Sequence, residues 1–323
     1  MFIFFHLFVF AGLFIENGPF QGVKDKKTGE LGFVERATSW VGPFSMLYID
    51  NPVGVGFSFS EIGALRKNRA GYTRDLYEAL VQFFQIFPEQ QKNDLYLGGQ
   101  SYAGKYVPAL GSHIHRENLR QQHAATRLKL TGIYLGSPFF APEDSSVPLS
   151  KFLFSLGYIS SATMESNIQN VTKMLEDFHH NKTITLDDIN DLFFNLPESD
   201  SQNFVSDQCS QLYQPLNNAL NNYAFKQAIH TGSKKFNVDS FASVASGLIN
   251  DIMVSSKEEL TLLLNNYKTL IYNGVYDVVV NAPMIEAGLQ TLTNWTGLTQ
   301  YKQVHKTRYA CLLVDLKGNK SLF

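Results

Sequence analysis

The run LYLGGQSYAGK, Leu95 to Lys105, constrains this chain more than any other segment. Three apolar residues that read as a strand lead straight into small residues on both sides of Ser101, with Gly99 before it and Ala103 and Gly104 after it. A helical pattern follows. A backbone that passes from strand to helix over so few residues has to turn sharply, and small side chains let the two elements pack closely around the turn. The serine at the apex keeps its hydroxyl exposed, which makes Ser101 the candidate nucleophile.

The segments on either side repeat the alternation. Ser45 to Asp50 reads as a buried strand, and Thr73 to Phe87 as an amphipathic helix with Leu76, Leu80, Phe83, Phe84 and Phe87 on one face, closed by Pro88. Asp94 to Gly98 is the strand that feeds the turn, Gly104 to Asn118 the helix after it, and Leu128 to Leu135 a third strand. Right-handed crossovers between such strands give a parallel sheet with helices on both faces, and the serine then lies at the carboxyl edge, where ligands bind. From about Ala141 to Gly232 the pattern turns helical with polar joints, at Ser150 to Gly157, Thr163 to Phe178, Leu186 to Phe194 and Pro215 to His230. Thr269 to Asn273 resumes the sheet, and Asp277 follows on a loop. The expected division is an α/β core, residues 1–140 and 233–323, interrupted by a helical cap at 141–232.

Bulk properties exclude several functions. Hydrophobic residues make up 44% of the 323, with 26 Phe, and charged residues only 17%, which argues for a compact globular chain. The formal net charge of -2, with no long Lys/Arg block, favours neither a nucleic-acid nor an anionic-membrane partner. Met1 to Ile15 is almost wholly apolar. It is shorter than the roughly 18 residues that span a bilayer, so no integral membrane span is expected, and it has the length of a secretory leader's apolar part without a basic segment ahead of it. Cys209 and Cys311 have no C-x-x-C spacing and read as two unconnected thiols. No metal-binding pattern is present, His179 and His180 read as solvated helix-end residues, and no cofactor is implied. Asn170, Asn181, Asn294 and Asn319 each open an Asn-x-Ser/Thr sequon and are candidate glycosylation acceptors.

Four segments in chain order, ENGP (Glu16 to Pro19), MLYIDNPVGVGFSFS (Met46 to Ser60), GGQSYAGKYVP (Gly98 to Pro108) and LIYNGVYD (Leu270 to Asp277), closely resemble the serine carboxypeptidases, and their vitellogenic-like branch in particular. The resemblance runs from about Gly12 to Gly297. It implies an α/β-hydrolase fold, removal of carboxy-terminal residues from peptides through an acyl-enzyme on Ser101, peptide or protein C-termini as partners, and a lysosomal or secreted location. Asp277 matches the acid that orients the catalytic histidine, and Tyr102 the residue whose N–H serves the oxyanion. Glu16 matches one of two glutamates that hold the substrate's terminal carboxylate, but Gln100 stands where the second is found. An amide donates hydrogen bonds at any pH, so this exchange predicts a weaker preference for acidic conditions. Asn51 and Gly54 match a motif near the cleft, and a turn role serves them equally. The resemblance also offers a second reading of the amino end, with Gly12 to Ile15 as a core strand leading into Glu16.

A hydrolase of this fold needs Ser, Asp and His in that order. Only His305 follows Asp277, within KQVHKTR, and it lacks the glycine before and the proline after that mark the family's histidine. It reads as a solvated residue in a basic segment, with the base role as the alternative. The family's glycine-rich loop, which supplies another oxyanion donor, is also not found ahead of Glu16. The sequence therefore predicts a weakly active or inactive member of a peptidase lineage, with two rival readings. One is a non-catalytic relative that binds peptides or proteins. The other is an esterase or lipase, which the absence of an HGGG-type loop and the presence of DNPVGVGFS oppose.

Overall fold

The computed structural model describes residues 1–5, 12–24, 27, 31–61, 65–121, 127–180, 182–189, 213–237 and 240–304. Five parallel strands form the main sheet: β1 (Phe2–Phe5), β4 (Met46–Tyr48), β5 (Leu95–Gln100), β6 (Leu130–Gly136) and β7 (Lys268–Tyr272), in the order β4-β1-β5-β6-β7. The remaining two, β2 (Phe20–Lys24) and β3 (Leu31–Glu35), pair as an antiparallel hairpin. Strands covered on both faces read as continuous runs of apolar and small residues, as β5 and β6 do, and Leu95, Leu97, Ile133 and Leu135 are buried.

Helix α1 (Arg69–Ile86) runs between β4 and β5 and buries Tyr72, Leu76, Leu80 and Phe84. It starts earlier than its apolar pattern, because the Asn68 side chain accepts from Gly71 N–H and caps the first turn. Helix α2 (Ala103–Arg120) follows the turn at Ser101 and packs against α1, β5 and β6. Between β6 and β7 lie α3 (Pro142–Ser155), α4 (Ser161–His179), α5 (Leu186–Ile189), α6 (Tyr213–Leu220), α7 (Tyr223–Ala228), α8 (Ser240–Gly247), α9 (Ile249–Ile252) and α10 (Lys257–Asn266). After β7 come α11 (Ala282–Gln290) and α12 (Leu298–Val304).

Two further helix boundaries differ from the sequence expectation for local reasons. The helix expected from Ser150 begins at Pro142, whose fixed φ suits a first helical position. The single helix expected from Pro215 to His230 is α6 and α7, because Asn222 breaks the run and caps the second piece through Ala224 N–H. Helix α3 packs against α11, where Gly288 lies against Phe140 and Ala141, and Lys257 pairs with Glu143 at 2.9 Å and Asp144 at 2.7 Å.

At the amino end, Gly12 to Ile15 is not a strand. The core strand is β1, which inserts between β4 and β5 with Ile3 and Phe4 fully buried. Phe2 stacks on Tyr96 at 4.6 Å between ring centroids. Gly12–Glu16 forms one wide π-helical turn, with Asn17 and Gly18 both donating to the Gly12 carbonyl at 3.0 Å. A Cβ at Gly12 would stand 2.3 Å from the Phe4 ring, so the close approach of this turn to β1 requires glycine. Among the described residues no helix is long and apolar enough to cross a membrane, and no group of three His, Cys, Asp or Glu could hold a metal ion.

Candidate active site

Ser101 adopts φ 58°, in the left-handed region that non-glycine residues avoid. Three backbone hydrogen bonds hold it there. Its N–H donates to Gly136 O at 3.0 Å, and its carbonyl accepts from Gly104 N at 3.0 Å and Phe139 N at 2.9 Å. Gly104 is where the loop after β6 crosses the turn, and a Cβ there would meet the Phe139 backbone at 2.7–2.8 Å. Tyr102 is the N-cap of α2, so its N–H is among those a helix start leaves without an intrahelical partner. That suits an oxyanion donor.

Asp277 lies past the end of β7 and is only 8% exposed. Its Oδ1 accepts from Val279 N at 2.9 Å and Val280 N at 3.1 Å, and the Ser137 side chain lies near enough to favour the charged carboxylate. Asn273 fixes this corner by donating to Ser137 Oγ at 2.8 Å and to Val280 O at 2.7 Å. Consecutive residues at the end of β6 therefore serve both groups: the Gly136 carbonyl holds the Ser101 amide, and Ser137, through Asn273, helps fix the corner where Asp277 lies. This brings the two sequence candidates to one carboxyl edge.

Burial pushes the Asp277 pKa up to about 6, against the lowering effect of those hydrogen bonds. The folded protein thus holds this proton more tightly than the unfolded chain. The stability that follows is fully present below the ordinary carboxylate value and is lost as pH rises through about 6. Asp277→Asn keeps an Oδ1 acceptor for both valine N–H groups and removes the buried charge. It is expected to be more stable than the parent at pH 7.5, on the order of 2 kcal/mol, with the difference closing near pH 4. Urea unfolding at the two pH values checks this, and a gap of equal size at both would count against it.

Glu16 closes the π-helical turn, and Gln100 ends β5. The two meet: the Gln100 carboxamide donates to both Glu16 carboxylate oxygens once its nitrogen is placed toward them. Burial raises the Glu16 pKa to about 7, opposed by the nearby Arg36 guanidinium. Arg36 also clamps the surrounding loop, donating to Gly18 O at 3.1 Å and Phe14 O at 2.9 Å. Tyr48, next to this carboxylate, donates to Asn17 Oδ1 at 2.8 Å, and its own pKa is pushed up to about 12, first by burial and then by Glu16.

Gly54 lies in a turn closed by Val55 N–H on Pro52 O, and Asn51 immediately precedes it. Gly54 has φ 101°, Gly56 has φ 58°, and Asn51 is buried. A Cβ at Gly56 would stand 2.4 Å from the Asp50 carboxyl carbon, so the glycine lets the loop fold over Asp50, which accepts from Phe57 N at 2.9 Å. Of the sequon residues, Asn170 and Asn294 are exposed, while Asn181 and Asn319 lie outside the described residues. His305, Cys209 and Cys311 lie outside them as well.

Sequence reasoning missed two acids. Asp50, inside the resemblance motif, has its pKa raised to about 6 by burial. Asp251 is 3% exposed and accepts from the Tyr102 hydroxyl at 2.8 Å. The available signal was Lys105, a cation at a position of α2 whose neighbours are small or apolar.

The serine carboxypeptidase family matches residues 9–317. The chain is 35% identical over 311 residues to the probable serine carboxypeptidase CPVL of Homo sapiens, covering 91% of this chain and 63% of that protein. It is 33% identical over 318 residues to the venom serine carboxypeptidase of Apis mellifera, covering 91% of this chain and 64% of that one. The chain thus spans less than two thirds of these relatives. In structure it is similar to Kex1(delta)p, a prohormone-processing carboxypeptidase from Saccharomyces cerevisiae, with a TM-score of 0.75 at 20% identity, over 92% of this chain and 68% of that one. The likeness gives the fold as α/β-hydrolase-like.

Proposed function

The chain belongs to the serine carboxypeptidase family, and from that premise we propose that its site hydrolyses the last peptide bond of peptides through an acyl-enzyme on Ser101. The observation that carries this is the left-handed Ser101, with Asp277 at the same sheet edge beside the adjacent Gly136 and Ser137. The Ser101 hydroxyl attacks the carbonyl of the last peptide bond while a histidine accepts its proton, and Asp277 holds that histidine's tautomer. His305 is the candidate by chain order. The tetrahedral oxyanion takes the Tyr102 N–H. The C–N bond then breaks, the departing amine receives the proton, and water releases the acyl group by the same route. Glu16 and Gln100 face the peptide's free carboxylate, and the helices of 141–232 supply the walls that select its side chain. Peptide or protein C-termini are the partners, and a lysosomal or secreted location fits buried acids that favour mildly acidic pH and the exposed Asn170 and Asn294 sequons.

Incubation with a serine-directed fluorophosphonate, followed by mass spectrometry, tests the nucleophile, and a blocked peptide with a free carboxyl end is then compared with its amide and with a simple ester. Adduct on Ser101 and a preference for the free carboxyl support the proposal. Capture no faster than in denatured chain overturns catalysis, and binding of the free-carboxyl peptide without capture would identify a peptide-binding relative. Preference for the ester would identify an esterase.

The carboxylate subsite carries its own prediction. Glu16 must be protonated to donate to a substrate carboxylate, and the Gln100 amide beside it stays uncharged at every pH. Gln100→Glu creates two close carboxylates that cannot both ionise cheaply. The KM for a free-carboxyl peptide is therefore expected to rise about tenfold more than the parent's between pH 5 and 7, a difference of about 1.4 kcal/mol in binding, with kcat little affected. Parallel KM–pH curves in the two proteins would rule this subsite out.

A further inference from the structure

Behind the turn at Ser101, side chains from helix α1 and from the turn itself converge on one buried carboxylate. Asp251, on α9, accepts from the Tyr102 hydroxyl at 2.8 Å and the Tyr72 hydroxyl at 3.1 Å through Oδ2, and its Oδ1 lies 3.6 Å from Arg69 Nε. Arg69 continues the network to Glu259 Oε1 at 2.8 Å, Ser255 O at 3.0 Å and Val254 O at 3.0 Å. Lys105, fully buried on α2, donates to the same Val254 carbonyl. The Tyr106 ring stands between those of Tyr72 and Tyr102, at 4.9 and 5.1 Å between centroids.

A carboxylate removed from water is expensive to keep, and apolar side chains of equal volume would stabilise the same space as well. What a carboxylate held by two hydroxyl donors adds is a single geometry. The cluster meets the reacting centre at one residue, Tyr102, which follows the nucleophile. The Tyr102 backbone and side chain share one Cα, so fixing the hydroxyl limits how far the N–H can swing.

We propose that Asp251 is a positioning residue for acyl transfer at Ser101: by anchoring the Tyr102 hydroxyl it aims the Tyr102 N–H at the developing oxyanion. This rests on the reading of Ser101 as nucleophile. Helix α9 lies on the stretch that leads from residues 141–232 back to β7, so the same contact ties the placement of that helical segment to the shape of the turn. A segment out of place would release Tyr102.

The test uses Tyr102→Phe, Asp251→Asn and the double variant in the full chain. Three quantities are measured: the second-order rate of fluorophosphonate capture at Ser101, the Tm, and amide exchange of residues 101–104. A misplacement of about 1 Å can slow a reaction about a hundredfold, so each single variant is expected to slow capture by roughly 10- to 100-fold. The double variant should be no slower than the slower single, because Asp251 acts through the hydroxyl that Tyr102→Phe removes. Effects that multiply, or singles captured at the parent's rate, would overturn the proposal. If Asp251→Asn does not fold, Tyr72→Phe replaces it. That change takes the other hydroxyl from the same carboxylate and should slow capture less than Tyr102→Phe for an equal loss of Tm, the reverse order being fatal. If the parent chain is not captured at all, the nucleophile reading fails, and amide exchange decides the positioning claim. Faster exchange at 101–104 in both singles supports it, and unchanged exchange overturns it.

Discussion

Ser101→Gly is expected to reduce phosphonate capture to the rate of denatured chain while raising stability by roughly 0.5–1 kcal/mol. Ser101 sits at φ 58°, where the Cβ of an L-residue crowds the following carbonyl and costs about 1–2 kcal/mol. Glycine escapes that crowding. It loses about 0.5–1 kcal/mol of the gain to the larger backbone freedom of its unfolded state. Ser101→Ala isolates the effect, because it removes the hydroxyl and keeps the Cβ. Both variants should resist capture, and only the glycine variant should gain stability over the parent in urea unfolding. Equal stability of the two would mean that the turn stores no strain at this residue. Loss of function with gain of stability is the pattern expected where a backbone is held against its preference for the sake of a reactive group.

Gly104→Ala should do the opposite and lower stability by about 3 kcal/mol, the upper end of what an added methyl does in a packed core. The new Cβ would lie 2.7 Å from Phe139 N and 2.8 Å from Phe139 C and O. These are backbone atoms, so no side chain can swing away to make room. Displacing Phe139 also breaks its 2.9 Å bond to the Ser101 carbonyl, one of the three that hold the turn. Urea midpoint and capture rate should therefore fall together. A stable, fully reactive alanine variant would show that α2 and the loop after β6 can move apart without distorting the turn.

Much of the fold was legible because it follows local rules. The small residues around Ser101 permit only a tight strand-to-helix passage, and β5, α2 and β6 appear within a few residues of their expected positions. Asn68 and Asn222 were unread start signals, and each moved a helix boundary. The amino end was harder. An apolar run such as Phe2 to Phe5 is equally at home in a leader or a buried strand, and only the vacancy between β4 and β5 decides. Glu16 and Gln100 were legible as a pair through the resemblance, but their shared burial beside Arg36 was not. Asp251 left no local mark of its own, since its partner, Tyr102, lies 149 positions away, and only the cation at Lys105 hinted at a buried charge.

The strand order has a consequence for the chain as it is made. Gly136 and Phe139, which shape the turn, follow Ser101 closely, so β1, β4, β5 and β6 can assemble without the residues beyond 139. Asp277 reaches its place only after β7, whose residues 268–272 are synthesised more than a hundred positions later, has paired with β6. At a synthesis rate of about 5–20 residues per second, that interval lasts on the order of ten seconds. During it Ser101 is presented before the acid proposed to hold the histidine's tautomer is in place, so a ribosome-bound chain carries the proposed site incomplete among its neighbours.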